Sequence, residues 1–262
     1  MNSVSKTLYI PLYGKAYVSS MGIILNDKKA EEIWAKEGFK LKGKSGSKWL
    51  AYYMGIRSAV FDGWLTEKMA EKQDAVIIHI GCGMDSRVIR VGTKGHAWYD
   101  VDFSEVITER RKYYPESKEY KMLVGDARKS DFLDSIQKND SAIVVMEGVS
   151  MYLSPEELKG FTEALCRRFS DVSLLTDCYS VFAARMSKYK NPINDVGVTE
   201  VYGIDDPLFL NNGEFCFIKE HEMTPDRFIN ELSGMEKRIF KKLYAGSFSK
   251  KLYKMFEYAK AT

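Results

Sequence analysis

HIGCGMDSRVIRVGTKGHAWYDVD, residues 79–102, joins two apolar runs through a glycine-bearing turn. The apolar run AVIIHI (75–80) stops at a turn holding Gly81 and Gly83. A short helix-like piece, DSRVIRV, follows, and a second apolar run, HAWYDV (96–101), ends among Asp100 and Asp102. A strand, a glycine turn, a helix and another strand in so short a span is the opening unit of a parallel sheet, because parallel neighbours need a crossover connection.

The rhythm continues outward. YKMLV (120–124), SAIVVM (141–146) and VSLLT (172–176) read as further strands. SEVITERRKYY, SDFLDSIQKN and SPEELKGFTEALCRRF read as the helices between them. Alternation of this kind predicts an α/β fold, a mostly parallel sheet with helices on both faces. SPEE (154–157) is a helix start, with Ser as cap, Pro in the first turn and Glu three residues after the cap. Residues 1–73 read as a helical cap. DKKAEEIWAK (27–36) opens on a capping Asp, and 47–72 is long and amphipathic, although Gly55 and Gly63 argue against one unbroken helix.

Beyond Thr176 the pattern loosens. Residues 178–214 hold NPINDVG and GIDDP and suggest a lid or binding loop. EFCFIKEH (214–221) and KRIFKKLYAG (237–246) suggest two edge strands, with a helix near PDRFINELS and another at 249–260. The expected organisation is one domain over 1–262: a cap (1–73), a core (74–177), a lid region (178–214) and C-terminal edge strands with a helix (215–262).

The chain has 262 residues, 45% of them hydrophobic and 29% charged, ordinary values for a globular enzyme. A net charge of +3, with basic residues interspersed among acids, gives no reason to expect nucleic acid. No apolar run nears the ~20 residues of a membrane span, and the N-terminus does not read as a secretory leader. Cys82, Cys166, Cys178 and Cys216 form no CxxC pair, which suggests reduced thiols and a cytoplasmic location. Three scattered histidines, at 79, 96 and 221, make a metal site unexpected.

In an open parallel sheet the ligand sits beyond the C-terminal strand ends. Acids gather there: Asp100 and Asp102, Asp126, and Glu147. Such a layout suits a nucleoside held by its ribose. Asp102 can take both ribose hydroxyls, Asp126 an adenine amino group, and Glu147 an ammonium. A dinucleotide fingerprint would place a third glycine at 86, where this chain has Ser86, and its pyrophosphate would be repelled by these anions. S-adenosylmethionine, which carries an ammonium and no phosphate, fits better.

The chain resembles the leucine carboxyl methyltransferase family, and more closely its bacterial branch of O-methyltransferases linked to polyketide-type substrates. KTLYIPLYGKAYVSS (6–20) is similar to the family's N-terminal segment and GIRSAVFDGWL (55–65) to its arginine-bearing helix. HIGCGMDSRVIRV stands for LGAG-x-D-[TS]-R, and YDVDFSEVITERRKYY for D-x-P-x-V-x-x-x-[RK], with Ser104 at the usual proline. MEGVSMYL matches E-G-V-x-x-Y-L, and YGIDDP (202–207) a late motif. The resemblance implies a class I, Rossmann-like methyltransferase with a seven-stranded sheet. It implies cofactor contacts from Lys15, Arg57, Gly81, Cys82, Gly83, Asp102, Phe103, Asp126, Ala127 and Glu147. A planar guanidinium at Arg57 suits the carboxylate of the methionine tail.

Methyl transfer from a sulfonium is an in-line displacement. A carboxylate acceptor needs no general base, whereas a hydroxyl benefits from one. No histidine offers itself as that base, which tilts the reading toward a carboxyl acceptor without deciding it. Tyr152, Tyr179 and Tyr202 are candidate contacts to a small-molecule acceptor. Cys82 reads as a small residue filling the turn rather than a nucleophile. Still open are a nicotinamide-dependent oxidoreductase, a non-catalytic member that binds the cofactor or a partner, and a protein-carboxyl methyltransferase. Oligomeric state is not encoded in any motif.

Overall fold

A computed structural model describes residues 4–38, 41, 43–190 and 200–260. The N-terminal cap is built from helices α1 (Val4–Ser20), α2 (Lys28–Glu37) and α3 (Lys48–Glu71). Asp27 caps α2 by accepting from the Ala30 N–H at 2.9 Å. Contrary to the sequence reading, α3 runs unbroken through Gly55 and Gly63. Gly55 has a packing reason: a Cβ there would lie 2.7 Å from Val18 Cγ2, so the missing side chain lets α1 and α3 cross closely.

The sheet follows, with β1 (Val76–Ile80), α4 (Arg87–Val91), β2 (Trp98–Asp102), α5 (Ser104–Arg110), β3 (Tyr120–Val124), β4 (Ser141–Met146), α6 (Pro155–Arg168) and β5 (Asp171–Tyr179). Ser154 and Glu157 form the capping box expected of SPEE. The proposed helix in SDFLDSIQKN is only a short 3₁₀ turn, Asp131–Ser135. Strand order is β3-β2-β1-β4-β5, all parallel, then β7 (Tyr253–Lys260) antiparallel to β5 and β6 (Phe215–His221) antiparallel to β7 at one edge. The order reverses between β1 and β4, and the crevice opens there.

The C-terminal region departs from expectation. After α7 (Val181–Lys190), β6 (Phe215–His221) and α8 (Asp226–Ile229), residues 237–246 belong to α9 (Gly234–Tyr244) and the residues just beyond it, not to a strand. The expected helix at 249–260 is the end of α10 (Ser247–Leu252) followed by β7 (Tyr253–Lys260). The i, i+4 basic residues of 237–242 suit an exposed helix. YKMFEYAK is a strand buried on both faces from Met255 to Tyr258 by its paired neighbours, so it shows no alternation, and local composition disguised that pairing. NPINDVG (191–197) lies outside the described residues.

Alternation along each strand divides the core. Ile77, Trp98, Ile143, Val145, Leu175 and Met255 pack toward the N-terminal cap, while Val76, Ile78, Val144, Leu174 and Phe256 pack toward α6. Among the described residues no helix is long and apolar enough to cross a membrane.

Candidate active site

The turn after β1 is made by two left-handed glycines, Gly81 (φ 63°) and Gly83 (φ 50°). A side chain at Gly81 would also strike Val149 Cγ2, 2.3 Å from the Cβ position. Two amides hold Asp102 at the end of β2: the Gly83 N–H of the turn donates to its Oδ2 and the N–H of the next residue, Phe103, to its Oδ1, both at 2.8 Å. Asp102 is thereby aimed by the backbone itself, with Ser104 opening α5 without the family's proline. Burial raises its carboxyl above the usual range, against those two amides, which lower it.

Beneath the turn lies a connected set of buried ions. Glu147, at the end of β4, accepts from Arg57 Nε at 2.9 Å, from Ser58 at 3.3 Å, and from Arg87 Nη2. Burial alone would raise its carboxyl, but Arg57 and Arg87 overcome that and bring it down to about 2. Arg57 Nη1 lies 3.3 Å from Asp177 on β5 and donates to Tyr253 Oη at 3.0 Å. Arg87, fully buried at the start of α4, also binds Asp62 at 2.7 Å and donates to His79 Nε2 at 3.0 Å. Arg90 holds Asp27, Asp62 and Asp85, and Lys15 reaches Asp85 at 3.1 Å. Five carboxylates (Asp27, Asp62, Asp85, Glu147, Asp177) thus share four cations (Lys15, Arg57, Arg87, Arg90).

Of these groups Lys15, Arg57, Asp85 and Glu147 open onto a cavity of about 1110 Å³. Lys15, Arg57, Gly81, Cys82, Gly83, Asp102, Phe103, Asp126, Ala127 and Glu147 all line it, and so do Tyr152, Tyr179 and Tyr202. Every site residue expected from the sequence therefore meets in one place. Asp126 is held bidentately by exposed Arg128, at 2.6 to 3.0 Å, and Phe103 is 45% exposed beside it. Cys82 is buried and its thiol is pushed up by burial, which removes the nucleophile reading.

The sequence reading missed Asp85, Arg87, Asp177 and Tyr253. Asp85 and Arg87 stand inside the quoted turn motif, and two charged residues kept beside an apolar helix were a usable signal. Asp177 and Tyr253 gave none, because their pairing depends on β7 lying beside β5. His79 is bound between Arg87 and Asp100, His96 bonds the Ala75 carbonyl, and His221 bonds Glu257 on the edge strand; only His79 touches the cavity. Among the described residues no His, Cys, Asp and Glu group is arranged to hold a metal ion.

A seven-stranded sheet of this order, with a glycine turn after β1 and acids at the following strand ends, defines a class I S-adenosylmethionine-dependent methyltransferase. The chain belongs to the leucine carboxyl methyltransferase family, whose sequence profile matches residues 11–165. It is 28% identical over 219 residues to the tetracenomycin polyketide synthesis O-methyltransferase TcmP of Streptomyces glaucescens, covering 82% of this chain and 81% of that one. It is 24% identical to the S-adenosyl-L-methionine-dependent methyltransferase dpfgK of Gibberella zeae, covering 80% and 78%. Two solved structures share the fold. One is a magnesium protoporphyrin IX methyltransferase from Synechocystis PCC 6803 with bound SAH (TM-score 0.52, 13% identity, 94% and 98% covered). The other is a DUF574 family protein from Streptomyces avermitilis (TM-score 0.58, 8% identity, 95% and 97% covered). The cofactor is S-adenosylmethionine, and the nicotinamide reading falls.

Proposed function

We propose that the cavity holds S-adenosylmethionine against the β1–β4 crevice and presents its methyl group to an oxygen of a small molecule. The observation that carries this reading is the joining of Asp102, Glu147, Lys15 and Arg57 in one cavity. Asp102 takes the ribose hydroxyls, and Asp126, released from Arg128, the adenine amino group beside Phe103 and Ala127. Glu147, held by three donors, takes the ammonium, while Lys15 and Arg57 face the carboxylate. The Gly81–Cys82–Gly83 backbone lets the cofactor approach. The cofactor's sulfonium and ammonium outnumber its carboxylate, which complements a network with one carboxylate in excess. When bound, it supplies an electrophilic methyl group; the chain's residues orient it and exclude water.

A single-ligand site spans about 300–1,000 Å³, so a cavity of 1110 Å³ has room for an acceptor beside the cofactor. Tyr152, Tyr179 and Tyr202 border that room, in keeping with a small carboxylate or hydroxyl acceptor such as the TcmP resemblance suggests. The four free thiols suit a reducing cytoplasm. Thermal unfolding with S-adenosylmethionine, S-adenosylhomocysteine or NAD tests the site. A ligand at 100 times its Kd adds about 2.7 kcal/mol to the folded state. Stabilisation by the first two, lost in Asp102→Ala, is expected; an undiminished shift in that variant refutes the assignment.

A further inference from the structure

Every residue of β1 is buried, and His79 is the strand's one polar side chain. A buried imidazole needs partners for both ring nitrogens, because an unpaired polar group is costly away from water. It has them. The parallel register sets His79 beside Asp100 on β2, with Nδ1 3.2 Å from Asp100 Oδ1. On the other side Nε2 lies 3.0 Å from Arg87 Nη1. A guanidinium can only donate, so Nε2 accepts, and the ring proton sits on Nδ1, which donates to the Asp100 carboxylate. The imidazole is neutral and joins a cation to an anion.

Each partner leads to a different end of the cofactor site. Asp100 Oδ2 accepts from Arg110 Nη2 and, at 2.7 Å, from the Tyr120 hydroxyl. Arg110 Nη1 in turn donates to the Gly83 carbonyl at 2.9 Å. Gly83 is thus held on both sides, by Arg110 at its C=O and by Asp102 at its N–H. In the other direction Arg87 Nη2 donates to Glu147, while Arg87 Nε donates to Asp62. Four buried side chains, Arg110, Asp100, His79 and Arg87, therefore connect the turn that aims Asp102 to the carboxylate of Glu147.

We propose that His79 is a positioning residue that couples the two ends of the S-adenosylmethionine site, fixing the ribose side through Asp100 and the methionine side through Arg87. This rests on the cofactor placement above. The other four residues of β1 are aliphatic, so packing alone gives no reason for an imidazole in that strand. An aliphatic side chain could fill the space, but it could not accept from Arg87 while donating to Asp100. Arg87 Nη1 and Asp100 Oδ1 would each lose a partner, and the two halves of the network would orient independently. A buried polar network holds one geometry when all its members are satisfied. His79 also lines the cavity, so the link borders the space that the cofactor takes up.

The experiment measures Kd by calorimetry for S-adenosylhomocysteine and for methylthioadenosine, which keeps the adenosine and the thioether but lacks the amino-acid end. Expected for His79→Leu is a loss of about tenfold for methylthioadenosine and about a hundredfold for S-adenosylhomocysteine, roughly a factor of ten for each hydrogen bond to a charged group. His79→Asn puts an amide N–H near the Nδ1 position and should restore affinity for methylthioadenosine alone. His79→Gln puts an amide oxygen near the Nε2 position and should restore the preference for S-adenosylhomocysteine. These two variants decide the outcome if His79→Leu does not fold. Equal losses for the two ligands, identical behaviour of the Asn and Gln variants, or a lowered thermal midpoint with both affinities kept would overturn the proposal. Wild-type protein that binds neither ligand, or Asp102→Ala that binds methylthioadenosine unchanged, would instead sink the cofactor placement.

Discussion

Arg87 and Glu147 are sixty residues apart and meet as a buried ion pair beside the crevice between β1 and β4. Arg87 fixes Glu147 from below while Arg57 and Ser58 hold it from the side of α3, so the carboxylate is positioned before any ligand arrives. Removing one partner of a buried pair strands the other charge, at a cost of about 3–5 kcal/mol.

Arg87→Met should therefore lower stability by that order and weaken S-adenosylmethionine binding as well. Urea unfolding and calorimetry check the two effects. A variant with wild-type midpoint and affinity would show that Arg87 does not position Glu147.

Glu147 and Asp100 predict the response to acid. Against the cost of burial, Arg57 and Arg87 hold Glu147 at about 2, and Arg110 with His79 holds Asp100 at about 2. Both titrate near 4 when unfolded, so the unfolded chain binds more protons as pH falls. The stability these groups contribute is fully present above about pH 4 and lost as pH drops through 2. Thermal midpoints between pH 6 and pH 2.5 should show the steepest loss below pH 4, and a flat profile there would contradict the network.

Gly55→Ala tests the helix crossing. Alanine gains about 1 kcal/mol of helix propensity over glycine, but overpacking a core costs about 1–3 kcal/mol, and the new Cβ would press on buried Val18. The net expectation is a destabilised protein in denaturant titration. A raised midpoint would mean that α1 shifts freely on α3.

Gly81→Ala faces both a φ of 63° and Val149. The turn that aims Asp102 should distort, so cofactor affinity should fall by more than unfolding stability does. Calorimetry beside urea titration separates the two, and equal affinity in both proteins would count against a backbone role for the turn.

The strands from 75 to 176 were legible because each combines a short apolar run with a terminal acid or glycine, a pattern set by burial on both faces of a parallel sheet. Lys15 and Arg57 were legible only through resemblance, since a cation on a helix looks like surface until its partner is known. Residues 237–260 misled, because a basic amphipathic helix and an aromatic strand differ by what they pack against.

By itself the sequence determined the alternation of strands and helices, the glycine turn and the acids that follow it, since these are local consequences of backbone sterics and burial. Only the tertiary structure decided which charges meet. Arg87 with Glu147, Asp177 with Tyr253 and the cavity that Glu147 and Tyr253 line arise from strand order and from β7 pairing antiparallel to β5. Those contacts join residues far apart in the chain, where short-range pattern has no physical hold.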